Sequence, residues 1–130
     1  MPITYTIDRV RNLIRTHCVG AVTPEEIADH FRELEQDPNK PGFLNVLLDL
    51  TAETSLPVTQ QVREVSDYPG KLTPSVKFGA CAIVAPTEAL FGMMRMFEVM
   101  AGEHFELTRV FRSVPEAEQW LDSIIGTIRR

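Results

Sequence analysis

Two carboxylates, Asp49 and Glu53, stand at the C-terminal end of the apolar run 44–50. Acids so placed could serve as a general acid and base, and open α/β sheets take up ligands beyond the carboxyl ends of their strands. Glu88 would open the helix that follows the neighbouring strand. The ordinary fate of loop acids is solvation, so an enzyme using Asp49 or Glu53 as a base ranks third among the readings below. No G-x-S-x-G elbow is present. His17, His30 and His104 fall in a strand, a helix and a loop, without local acid–base spacing. His17 and Cys18 are adjacent, but neighbours on a strand point to opposite faces and cannot grip one ion together. With no C-x-x-C, H-x-x-x-H or calcium-type acidic loop, no metal site is expected. The seven glycines are isolated from one another, whereas a phosphate cradle needs several close together. No cofactor is expected either.

The segment 90–100 is the most unusual. Leu90, Met93, Phe97 and Met100 share one stripe, while Phe91, Met94 and Met96 spread apolar surface around the helix. Such a helix is either deeply buried or offers a second face to a subunit or an apolar ligand, since methionine suits adaptable surfaces. Met93, Met94, Arg95, Met96 and Phe97 are therefore candidate contact residues, with Asp49 and Glu53 beside them. Gly92 in mid-helix costs about 1 kcal/mol against alanine, which implies close packing against the backbone there. Arg95 is expected to pair with Glu98 or Glu88.

These residues belong to a chain of 130 residues with 44% hydrophobic and 24% charged residues, ordinary for one globular domain. A formal charge of −5 argues against a nucleic-acid partner, and Arg9, Arg11 and Arg15 read as a solvated strand face. Cys18 and Cys81 sit in apolar runs, as small buried hydrophobes in a reducing compartment would. The start lacks signal-peptide grammar, and the longest apolar stretch, near 79–86, is far short of the ~20 residues that span a bilayer. A cytoplasmic protein without a membrane span is expected.

Ile3, Tyr5 and Ile7 alternate with polar residues, and 13–19 resumes as a second strand, predicting an antiparallel hairpin ended by Gly20. Thr23-Pro24-Glu25-Glu26 announces a helix with cap, first-turn proline and capping box. Its apolar stripe is Ile27, Ala28, Phe31 and Leu34, and the cluster 37–42 stops it. Residues 44–50 and 78–84 are continuous apolar runs, suited to strands covered on both faces. Between them a helix from Pro57, with Val58, Val62 and Val65 inward, is expected to end by Tyr68-Pro69-Gly70. Thr87 caps a third helix reaching Ala101 and Gly102. An edge strand is expected over 105–111, with Glu106, Thr108 and Arg109 exposed. Ser113-Val114-Pro115-Glu116 opens a last helix, whose Ala117, Trp120, Leu121, Ile124, Ile125 and Ile128 make a core-facing stripe. The order predicts one α/β domain over 1–130, with four or five mostly parallel strands, an N-terminal antiparallel hairpin and about four flanking helices.

The order of elements and five runs resemble the SpoIIAA-like family, small bacterial STAS-like proteins grouped with the lipid-transfer CRAL-TRIO fold. The runs are Thr23-Pro24-Glu25-Glu26, Leu47-Leu48-Asp49-Leu50, Ala82-Ile83-Val84-Ala85-Pro86, Gly92-Met93-Met94-Arg95-Met96-Phe97-Glu98 and Arg109-Val110-Phe111-Arg112. The resemblance implies a four- or five-stranded, mostly parallel sheet flanked by helices, often in a dimer, without any established enzymatic activity. Its anti-sigma-factor antagonists carry Asp-Ser-Ser-Gly at a helix start, where the first serine accepts a phosphate. Here that stretch is Leu56-Pro57-Val58-Thr59-Gln60, with acid, serine and glycine all replaced. Thr59 is a phosphate acceptor only if the register slips by one, and the site is not carried over. The leading expectation is thus a non-enzymatic STAS-like binding or interaction module, homo-oligomeric, touching a protein partner through the Met-rich helix. The second is a carrier of a small apolar or amphipathic ligand, held between sheet and helices near Met94 and Phe97.

Overall fold

Alternation of Ile3, Tyr5 and Ile7 with Thr4, Thr6 and Asp8 gives strand β1 (Ile3–Asp8) one apolar face, and it pairs antiparallel with β2 (Leu13–Gly20). Asp8 tightens the turn between them by accepting from the amides of Val10 and Arg11 at 3.0 and 3.2 Å. Asn12 completes it at φ 48°, a left-handed conformation that a short amide side chain tolerates. Gly20, at φ +73°, ends the hairpin where a side chain would be strained. This computed structural model describes residues 2–57, 59–72 and 76–128.

Helix α1 (Pro24–Gln36) starts with a complete capping box: Thr23 Oγ1 accepts from the Glu26 amide, and the Glu26 carboxylate accepts from the Thr23 amide. The box satisfies two amides that the first helical turn leaves free. Strand β3 (Phe43–Glu53) follows, then α2 (Thr59–Ser66), α3 (Tyr68–Leu72), β4 (Lys77–Val84), α4 (Glu88–Met100), a 3₁₀ turn at Gly102–His104, β5 (Leu107–Phe111) and α5 (Val114–Ile128). Every β4 position after Lys77 is buried, which explains its unbroken apolar run. The five strands lie side by side in chain order, and all pairings from β2 to β5 are parallel.

That strand order decides how the helices are shared. Each parallel connection steps the same way across the sheet, and right-handed crossovers stepping one way land on one face. Leu34 of α1, Val62 of α2, and Leu90, Met94 and Phe97 of α4 accordingly join one buried cluster with Ile14, Leu44 and Ile83. The opposite face is covered by α5, whose Ala117, Leu121 and Ile125 pack on Leu13, Leu47, Ala82 and Phe111. The helices packed on the sheet thus lie three (α1, α2 and α4) against one (α5), with the short α3 resting on α1 and α2, rather than sheathing the two faces evenly. Arg15 fastens α5 to β2 through Glu118 at 3.1 and 3.2 Å, and Arg11 pairs with Glu118 and Asp122. Arg11 and Arg15, expected on a solvated face, are half-buried and neutralised by these acids.

Three local details depart from expectation. The helix expected from Pro57 runs as α2 and ends at Ser66, before Tyr68-Pro69-Gly70 as expected, but those residues then open a separate short helix, α3, since a proline in a first helical turn gives up no hydrogen bond. Strand β5 begins at Leu107 rather than Phe105, since the 3₁₀ turn turns Phe105 into the core beside Phe78, ring centres 5.3 Å apart. Thr108 is half-buried rather than exposed. Val58 and the side chain of Ile128 lie outside the described residues.

Candidate functional site

Three helices spread over one face of a twisted sheet do not close it completely. Between the sheet and helices α1, α2 and α4 lies a cavity of about 290 Å³. Val46 and Leu48 on the central strand β3 remain half-buried because they meet this space instead of a helix. Its walls are almost wholly apolar: Ile14 and Leu48 from the sheet, Ile27 and Phe31 from α1, Met94 and Phe97 from α4. The rim is formed by the β2–α1 connection at Val22 and the β3–α2 connection at Ser55, Leu56 and Pro57. Both connections leave the C-terminal ends of parallel strands, the edge at which open α/β sheets receive ligands. The Val22 amide donates to Ser55 Oγ at 3.2 Å and the Thr54 amide to the Gly20 carbonyl at 2.9 Å, tying the two sides of the rim together.

Few polar groups reach the space. Thr16 and Cys18 enter from β2, His30 from α1, Gln61 from α2, and Glu53 and Ser55 from the end of β3. Burial pushes the Glu53 carboxyl up to about 7 from an ordinary 4.5, partly offset by a hydrogen bond from Ser55. Burial also pushes the His30 imidazole down to about 4, leaving the ring neutral at pH 7. The Cys18 thiol is raised to about 12, by burial first and then by the nearby Glu53 and Asp49 charges. Cys18 and Cys81 are both free, buried thiols. His30 is held edge-on to Tyr5, centroids 5.3 Å apart, and the Tyr5 hydroxyl donates to Asp37 Oδ2 at 2.7 Å.

Glu53 owes its orientation to a β-bulge. His17 pairs with Asp49, but Val19 pairs with Ala52, so β3 carries one more residue than β2 between these points. Strict alternation would put Asp49, Thr51 and Glu53 on one face; the added residue reverses the last of them. Glu53 therefore lines the cavity, whereas Asp49 lies on the other face. There it meets His17 Nδ1 at 3.1 Å and accepts from the Thr51 amide and hydroxyl at 2.9 and 2.6 Å. Burial alone would raise the Asp49 carboxyl; the Thr51 hydrogen bonds and His17 outweigh it and hold it below its ordinary value. The two acids read together in the sequence do not form a pair.

The other candidates separate as well. Met94 and Phe97 line the cavity, while Met93 and Met96 pack half-buried against the same core without lining it. Arg95 is exposed and pairs with Glu98 at 3.5 Å. A Cβ at Gly92 would meet nothing within 4 Å, so no close packing explains that glycine. Thr59 is the exposed first residue of α2. His30 was legible as a core-facing residue, since it sits three residues after Ile27 and four before Leu34 on the stripe of α1. The bulge beneath Glu53 had no such signal.

Among the described residues no helix is long and apolar enough to cross a membrane. No family model, curated protein or solved structure matches the chain.

Proposed function

We propose that this chain is a non-catalytic binding domain that holds a small, largely apolar molecule between its sheet and helices α1, α2 and α4. The SpoIIAA-like family is proposed as its kin on the sequence runs given above. The observation that carries the functional reading is the cavity of about 290 Å³, walled by apolar side chains and rimmed at the C-terminal edge of the strands. Apolar walls left facing water in such a cavity forgo about 25 cal/mol for each Å² that an apolar occupant would cover. An apolar occupant recovers that free energy by covering them. The volume suits a molecule on the order of ten to fifteen non-hydrogen atoms. The cavity draws on Met94 and Phe97, so the Met-rich helix supplies a ligand wall in this reading rather than a docking face for another protein.

Native mass spectrometry of protein purified without detergent tests this. A reproducible extra mass that vanishes on denaturation is expected, and Leu48→Trp, which fills the space, is expected to lose it. Wild-type protein that carries no such mass and takes up no 1-octanol would refute the proposal.

A further inference from the structure

Resting on the cavity as a ligand site, we infer that its ligand bears a protonated amine, held by the Glu53 carboxylate with the apolar body directed toward Leu48, Met94 and Phe97. Among the described lining residues Glu53 is the one acid, and none is a lysine or arginine. Among the described residues Glu53 makes no ion pair. Its hydrogen-bond partner, the Ser55 hydroxyl, leaves acceptor positions open, since a carboxylate offers about four lone-pair sites. An anionic head would meet a like charge and no cation. A hydroxyl head would find an acceptor but no opposite charge. An ammonium head finds both, in surroundings where pairing a buried charge counts for more than in water.

Position agrees with charge. Glu53 and Ser55 stand at the end of β3 beside the rim, while Met94 and Phe97 belong to α4 on the helical wall. A polar head at the mouth and an apolar body within is the order that an amphipathic amine would take. The bulge in β3 strengthens the point, because without the added residue Glu53 would face away from the space.

The groups around Glu53 keep its titration readable. His30 on α1 is held down to about 4 and Cys18 on β2 up to about 12. Asp49 on β3 stays ionised on the other face, and α2 contributes uncharged Gln61, Val62 and Val65. Among these groups the carboxyl of Glu53, titrating at about 7, is the one that changes between pH 6 and 8, while an alkylamine stays protonated.

Titration calorimetry with n-octylamine, 1-octanol and n-octanoate, a series matched in chain length, provides the test. At pH 8 wild-type protein is expected to bind octylamine at least about tenfold more tightly than octanol, and octanoate most weakly. Octylamine affinity is expected to rise about tenfold from pH 6 to pH 8. Glu53→Gln should lose the amine preference and its pH dependence, so that octylamine binds no more tightly than octanol at either pH. Octanol or octanoate binding as tightly as octylamine, or amine affinity flat across this range, overturns the amine assignment while leaving the cavity reading intact. Failure of wild-type protein to bind any of the three overturns both. The wild-type pH profile decides the matter even if the variant does not fold.

Discussion

Glu53→Gln should make the empty protein more stable at alkaline pH and leave it unchanged in acid. The carboxyl is raised from 4.5 to about 7 by burial beside apolar walls. Each tenfold change in proton affinity is worth about 1.4 kcal/mol, so the full rise corresponds to about 3 kcal/mol. Part of the carboxyl faces solvent, and screening reduces the expected effect to about 2 kcal/mol. The sign follows from proton counting. Between 4.5 and 7 the folded chain holds the Glu53 proton and the unfolded chain has released it. Folded stability therefore falls as pH rises through this window and levels off above it. Glutamine stays neutral and lacks this slope. Urea denaturation of both proteins at pH 4.5, 6, 7 and 8.5, after refolding to strip any bound molecule, measures the difference. The variant should match wild type at the lowest pH and exceed it by about 2 kcal/mol at the highest. The slope from His30 is common to both chains and cancels in the difference. A difference that is constant with pH, or a variant weaker than wild type at pH 8.5, would show that Glu53 is not desolvated as described.

His30, held neutral down to about 4 from an ordinary 6.5, works in the opposite direction: the unfolded chain binds its proton first, so stability is lost as pH falls from 6.5 toward 4. His30→Gln should abolish an acid-side loss of about 2 kcal/mol, read as urea midpoints at pH 4.5 and 7. Gly79→Ala should destabilise by about 1–3 kcal/mol in urea titrations, because its Cβ would collide with Phe43 Cζ and lie 2.6 Å from Asn45 Oδ1. The same Asn45 oxygen accepts the Ala80 amide at 2.9 Å, so it cannot move away freely. Gly92→Ala should raise stability by about 1 kcal/mol, visible as a higher melting temperature, since its Cβ position is open and the helix interior penalises glycine.

Much of the scaffold was written in local pattern. The hairpin is read from period-two alternation in β1 and from Gly20. The start of α1 follows from Thr23, Pro24 and Glu26, and that of α4 from Thr87, whose hydroxyl accepts from the Leu90 amide. The two central strands follow from apolar runs too short for a helix to bury. These features depend on residues within a few positions of one another, and periodicity and capping report such short-range preferences directly. The site was less legible. Met94 and Phe97 stood out by composition, but Met93, Arg95 and Met96 were drawn in with them although they do not reach the cavity. Asp49 and Glu53 shared one expectation and lie on opposite faces.

The residues themselves determined which segments are strands and, the short α3 excepted, which are helices, where most of them begin, and that Glu53 lies at the end of a buried strand. Tertiary structure decided the rest. The order of strands placed three helices on one face and left a space among them, and no single helix or strand encodes that gap. One added residue in β3, measured against its partner β2, turned Glu53 into that space. Register is a relation between two segments distant in the chain, so neither segment alone can reveal which way a side chain at its end will point.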